Sequence, residues 1–217
     1  VVSVAVMPCT AKKAEAARPE LVKDGERLID LVLTTQELVR MINESGIDFA
    51  NIPDSQPDAP FAPYTGAGVI FGVTGGVTEA VIRHVLGDVS SSVAECGVRG
   101  LEGIKAFEVT AGDTTLRIAV ANGLGNADKL IEKIESGEEF FHFVEVMACP
   151  DGCIGGGGQP PACQARKAER CDGIFAADEA CELRSSEQNP ALDAVYDLLR
   201  GRAHELLHIH YPDHGRE

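Results

Sequence analysis

The stretch "IDLVLTTQELVRMINESGIDF", Ile29 to Phe49, holds a whole strand-to-helix transition. Ile29 to Leu33 is apolar and branched, as a strand requires, and Thr34 and Thr35 are residues that cap helices. Leu38, Val39, Met41 and Ile42 then recur at helical spacing until Gly46 stops the helix. Upstream, "VVSVAVMPC" (Val1 to Cys9) reads as a buried strand that Pro8 ends, which puts Cys9 at a strand's C-terminal end. Downstream lies a loop broken by Pro53, Pro57, Pro60 and Pro63. "GAGVIFGVTGGVTEAVIRHVL" follows, an apolar segment with a turn at Gly72 and a helix from about Val77. A hairpin is expected around Gly112 and Asp113 with Leu116 to Ala121 as its return strand, and then a helix from Ala127 to Ile134. "FFHFVEVMAC" is a further strand that runs to Cys149, and the segment from Asn189 is helical at its start, with Leu192, Val195, Leu198 and Leu199 on one face. This alternation predicts an α/β protein with largely parallel or mixed sheets flanked by helices, in two lobes.

Ligands of such folds gather beyond the carboxyl ends of strands, where Cys9, the Gly72 turn and Cys149 are expected to lie. Cys149 and Cys153 stand four positions apart, and Gly155 to Gly158 follow directly. Thiolates bind soft metals, and glycines let backbone amides approach a bulky anionic cluster without side-chain clash. A zinc knuckle needs two such close pairs, and only this one is present. The competing reading is structural cysteines in a tight turn. Lys12 is either a solvated lysine in a helix's first turn or an ammonium donor to an anionic ligand beside Cys9. Met7 and Met147 each precede a cysteine by two positions, though methionine is more often core filler. The turn "FGVTGG" lacks a Walker lysine and dinucleotide spacing.

His204, Glu205 and His208 match HExxH, but the pattern is short and lacks an evident third ligand. Cys96, Cys163, Cys171 and Cys181 have no compact ligand spacing and read as free thiols. Seven cysteines without a secretory signal favour reduced thiols or metal ligands over disulfides. The net charge of −15 argues against nucleic acid and anionic membrane surfaces as partners. No apolar run has spanning length and no basic leader opens the chain, so a cytoplasmic location is expected. The chain starts inside a strand without an initiator methionine, which suggests a fragment or processed piece.

"MPCTAKKAE" and "EVMACPDGCIGGGGQP" closely resemble the second and third cluster-binding signatures of iron-only (FeFe) hydrogenases. "VLTTQELVRMI", "GVIFGVTGGVTEA", "VANGLGNADKL", "SSEQNPAL" and the terminal "HELLHIHY" resemble the same family, in order and over nearly the whole chain. The resemblance removes zinc from the HExxH match. It implies a partial H-cluster domain over residues 1–217, two α/β lobes with the cluster between them, and reversible oxidation of hydrogen to protons and electrons. The implied cofactors are a 4Fe-4S cubane and a two-iron subcluster carrying carbonyl, cyanide and a dithiolate bridge.

By the same resemblance Cys9 and Cys149 bind the cubane, and Cys153 binds it and bridges to the two-iron unit. Lys12 hydrogen-bonds a cyanide, while Met7, Phe71, Gly72 and Met147 line the pocket. The implied partners are hydrogen, protons, an electron carrier such as ferredoxin or a nicotinamide-linked subunit, and an upstream segment with the family's first signature. That signature supplies the fourth cubane ligand and a proton-passing cysteine, so these 217 residues alone are expected not to turn over hydrogen. Asp151 stands where the family has glycine and Thr78 where it has methionine. A carboxylate at Asp151 is expected to lower the cubane potential, unless it is a solvated turn residue. Hydrogenase-like iron-sulfur assembly factors share part of the pattern, and a low-turnover sensory hydrogenase is a third reading.

Overall fold

The computed structural model describes residues 1–55, 58, 64–86, 98–99 and 103–208. The chain divides into two compact units, one comprising Val1–Phe61, Gly157–Pro160 and Pro190–Glu217, the other Ala62–Gly156 and Pro161–Asn189.

In the first unit, β1 (Val4–Met7) and β4 (Leu31–Thr34) pair in parallel, with Met7 opposite Thr34. Between them come α1 (Ala11–Ala16) and the short hairpin β2 (Val22–Lys23) and β3 (Glu26–Arg27), which turns through the positive-φ pair Asp24 and Gly25. The strand-to-helix transition at Thr34 forms as expected. The Thr34 hydroxyl accepts the Glu37 N–H at 3.1 Å, and the Glu37 carboxylate accepts the Thr34 N–H at 2.8 Å. This reciprocal cap starts α2 (Thr35–Glu44), and Gly46 (φ 68°) lies past its end. Strand β1, however, is shorter than Val1 to Met7 and is not buried, since Val4 and Val6 stand about half exposed. Its one partner among the described residues is β4, and its side chains alternate between exposed and half-buried.

The Lys13 ammonium lies 2.8 Å from Glu37. That hydrogen bond, followed by those from the Thr34 backbone and hydroxyl, lowers the Glu37 carboxyl from 4.5 to about 2. A carboxyl depressed on folding stabilises the fold above its unfolded value, and the gain is lost as pH falls through the folded value. Stability should therefore decline between pH 4.5 and pH 2. Thermal unfolding followed across that window should fall less steeply for Glu37→Gln; an identical pH profile for variant and parent would contradict this.

The second unit is built on a mixed sheet. β5 (Ile104–Ala111) and β6 (Thr114–Asn122) form the expected hairpin around Gly112 and Asp113, with Gly112 at φ 59°. β7 (Phe143–Met147) runs parallel to β6 after a crossover through the 12-residue helix α5 (Leu124–Glu135). Ala119 and Ala121 are small enough to let Ala127 and Leu130 of α5 press on one face of β6. On the other face Ile118 and Val109 pack against Ile82 and Val98. Ile82 belongs to α4 (Gly76–Leu86), which begins where the sequence places it.

The segment before α4 departs from expectation. Gly66–Val69 is a single helical turn, α3, continued by a tighter turn over Ile70–Gly72, so Gly72 does not lie at the end of a strand. Ala67, Ile70 and Val73 are all buried, and their three-residue spacing is helical rather than extended. A further departure is α6 (Gln164–Glu179), a 16-residue helix whose sequence has little apolar patterning to announce it. Two further helices, α7 (Leu192–Leu199) and α8 (Ala203–Leu207), belong to the first unit and are separated by Arg200 and Gly201 in left-handed conformations. No helix among the described residues is long and apolar enough to cross a membrane.

Candidate cluster site

In the second unit, β7 delivers Met147 to its C-terminal end, and the chain then turns through Cys149, Pro150, Asp151, Gly152 and Cys153. Asp151 and Gly152 both hold positive φ, at 70° and 80°, and the Gly152 N–H donates to the Cys149 carbonyl at 3.1 Å. The Asp151 N–H donates to Asn122 Oδ1 at 2.6 Å, which ties the turn to the end of β6; the Thr74 hydroxyl donates to the same oxygen at 3.2 Å. Gly152 is required by close approach as well as by φ. A Cβ there would lie 2.8 Å from the Thr74 nitrogen and 3.1 Å from the Gly72 carbonyl oxygen. The Gly72 turn and the cysteine turn are thus packed together, with Gly72 on a helical turn. Phe71 beside it is 48% exposed, and Cys149 and Cys153 are both partly exposed.

Asp151 is not a solvated turn residue: it is 6% exposed, and its carboxylate meets the Lys167 ammonium of α6 at 2.7 Å. One turn along α6, Arg170 Nη1 donates to the Ile154 carbonyl at 2.9 Å. Two cations of a helix that hydrophobic periodicity does not reveal therefore grip the cysteine turn. Upstream, Glu145 is buried on β7 and accepts the N–H groups of Gly75 and Thr78, each at 2.7 Å, and the Thr78 hydroxyl at 2.6 Å. A lone glutamate inside "FVEVM" was the available signal, because a carboxylate in an apolar strand needs donors.

In the first unit, Met7 ends β1 and Cys9 follows it, partly exposed. The Gly158 N–H donates to the Pro8 carbonyl at 3.0 Å, and the Gly158 carbonyl accepts the Gln36 N–H at 2.9 Å. A Cβ on Gly158 would lie 2.7 Å from the Cys9 nitrogen. Gly158 is therefore packed against the backbone of Cys9. Lys12 sits in α1 with its ammonium 2.6 Å from Glu15 and about two-fifths exposed. Met7 and Lys12 both line a small cavity of about 130 Å³ with Ala5, Leu21, Ile29 and Val32.

The remaining candidates have the following surroundings. Cys163 is exposed, while burial pushes the Cys171 and Cys181 thiols up, as suits inert free thiols. His204 and His208 stack ring on ring at 4.6 Å, and Glu205 between them is paired with Arg202 at 2.6 Å. Cys96, His210, the end of "HELLHIHY" and three of the four loop prolines (Pro57, Pro60 and Pro63) lie outside the described residues. Among the described residues no three His, Cys, Asp or Glu side chains gather around a single metal-ion position. A cubane makes a different demand, since each of its irons takes its own thiolate. Cys149 and Cys153 in the second unit and Cys9 in the first, each partly exposed and beside closely packed glycines, supply donors of the right chemistry.

Residues 1–157 match the family described as iron only hydrogenase large subunit, C-terminal domain, and residues 164–214 match the iron hydrogenase small subunit family. The chain belongs to the first of these, the family of C-terminal domains of iron-only hydrogenases. It is 46% identical to the NADP-reducing hydrogenase subunit HndD of Solidesulfovibrio fructosivorans, over 97% of this chain and 38% of that protein. It is 34% identical to cytosolic iron-sulfur assembly component 3 of Mus musculus, over 96% of this chain and 47% of that protein. Among solved structures it resembles an apo FeFe-hydrogenase variant from Chlamydomonas reinhardtii, with a TM-score of 0.76 and 38% identity, over 99% of this chain and 64% of that one. The chain thus spans less than half the length of these curated relatives.

Proposed function

We propose that the chain is the part of an iron-only hydrogenase that carries most of the catalytic cluster, and that the protein interconverts hydrogen with two protons and two electrons. The observation that carries this reading is the close glycine packing beside the cysteines within each unit. In the second unit Gly152 is packed on Gly72 to Thr74 beside Cys149 and Cys153, and in the first unit Gly158 is packed on Pro8 and Cys9, so each cysteine segment is held by a glycine where no Cβ fits. Cys9 and Cys149 would hold a cubane, and Cys153 would hold it and bridge to a two-iron subcluster with carbonyl, cyanide and dithiolate ligands. That group, when bound, supplies the redox chemistry and the site at which hydrogen reacts. Lys12 would donate a hydrogen bond to a cyanide, exchanging its surface pairing with Glu15 for that anion. Met7, Phe71, Gly72 and Met147 would line the pocket and limit water around it. The whole of residues 1–217 would serve one cluster domain, with electrons exchanged through a carrier such as ferredoxin or a nicotinamide-linked subunit.

Kinship to the assembly component, at 34% identity, supports a second reading in which the protein holds iron-sulfur clusters without the two-iron unit. Infrared spectroscopy of the matured protein separates the two. Bands of bound carbonyl and cyanide, lost in Cys153→Ser, are expected for the hydrogenase. A protein that binds iron and sulfide but shows no such bands after maturation is not one.

A further inference from the structure

Asp151 lies between the two cysteines of the turn, two positions from each, in a left-handed conformation that a residue with a Cβ seldom adopts. Such a conformation persists where the surroundings over-determine it. Here its N–H is held by Asn122 and its carboxylate by Lys167, while Arg170 holds the carbonyl of Ile154 just beyond Cys153. The carboxylate is 8% exposed and the lysine 23%, so both charges are largely withdrawn from water, where screening would otherwise erase their influence.

We infer that Asp151 and Lys167 are a charge-balanced pair that sets the reduction potential of a cluster held by Cys149 and Cys153, with α6 supplying the compensating cation. The inference rests on the proposed function, since it needs a cluster at those cysteines. It revises the expectation from sequence that Asp151 alone lowers the potential: a carboxylate with an ammonium at 2.7 Å presents nearly no net charge to a neighbour. Removing one member exposes the other. Lys167 left alone favours the added electron, and Asp151 left alone opposes it.

The test is a redox titration of the cubane, followed by its electron paramagnetic resonance, in the parent, Asp151→Asn, Lys167→Met and the double variant. The cubane takes one electron from the mediating reductant. Asparagine tolerates the left-handed conformation, and methionine keeps the length of the lysine stem. At fixed potential, Asp151→Asn should raise the reduced-to-oxidised ratio about threefold to tenfold and Lys167→Met should lower it by a similar factor, tenfold being about 59 mV for one electron. The double variant should return close to the parent. A purely structural pair gives another pattern, in which both single variants move the ratio the same way or neither moves it, and either result overturns the inference. If Lys167→Met loses its cluster, Lys167→Gln replaces it in the cycle. A parent protein that takes up no cubane overturns the functional reading and this inference together, whereas a cubane indifferent to both charges overturns only the inference.

Discussion

Glu145→Leu is expected to lower the unfolding free energy by about 3–5 kcal/mol, the loss of one carboxylate that satisfies three buried donors. Glu145 is 5% exposed on β7, and its two oxygens accept from Gly75, from the Thr78 backbone and from the Thr78 hydroxyl. The two N–H groups belong to the first turn of α4 and the residue before it, where a helix has no internal acceptors to offer. The carboxylate also lies at the positive end of that helix. Leucine fills similar space but leaves these groups dry and unpartnered, at about 1–3 kcal/mol each before relaxation. Thr78→Val removes one of the three bonds and should cost roughly 1 kcal/mol. Because β7 leads into the cysteine turn and Thr74 touches it, iron uptake by Glu145→Leu should fall in parallel with stability. Chemical denaturation compared across the two variants and the parent gives the measurement. A cost below about 1 kcal/mol for Glu145→Leu would mean that water reaches the donors.

The legible part of this protein was the part built by local or apolar rules. The Thr34 cap, the Gly112 turn, and α4 and α5 with their buried stripes follow from residue type and period. The cysteine turn was legible because glycine and cysteine are costly to place without reason, and Gly152 and Gly158 are held where no Cβ fits. What escaped was held by charge. Helix α6 buries little apolar surface, and its one fully buried residue among those described is Asp178. Hydrophobic periodicity cannot reveal a helix whose anchors are Lys167, Arg170 and Asp178, because the partners are fixed only by tertiary structure. For the same reason the sequence leaves Asp151 equally open to a solvated or a buried reading, since its partner stands 16 positions away. The Gly72 turn failed differently. Its apolar run is too short for strand and helix to be told apart by period, and a helical turn wins because Ile70 and Val73 both reach the core.

Arg83→Met should be about as damaging as Glu145→Leu, at about 3–5 kcal/mol, because it breaks a buried ionic network from its centre. The Arg83 side chain is fully buried, with its guanidinium at 2.8 and 2.7 Å from the two oxygens of Asp178 and in contact with Glu79. Arg99 also pairs with Glu79, and Arg184 with Asp178 at 2.9 Å. Burial opposes the Arg83 charge, but the bonds to Asp178 and Glu79 more than offset it and raise its pKa further. Methionine fills part of the space and leaves two fully buried carboxylates with one outer arginine each. The destructive element is two buried carboxylates that have lost their shared donor, so neutralising one of them in the combined Arg83→Met, Asp178→Asn variant should recover part of the loss. A double variant no more stable than Arg83→Met would contradict this account. Asp178 lies in the last turn of α6, and Lys167 and Arg170 lie in its first two turns. The network therefore anchors the far end of the helix whose near end grips the cysteine turn. Amide hydrogen exchange along α6 should accelerate in Arg83→Met, starting at the Asp178 end. Acceleration confined to α4, with α6 unchanged, would show that Lys167 and Arg170 hold the helix without help.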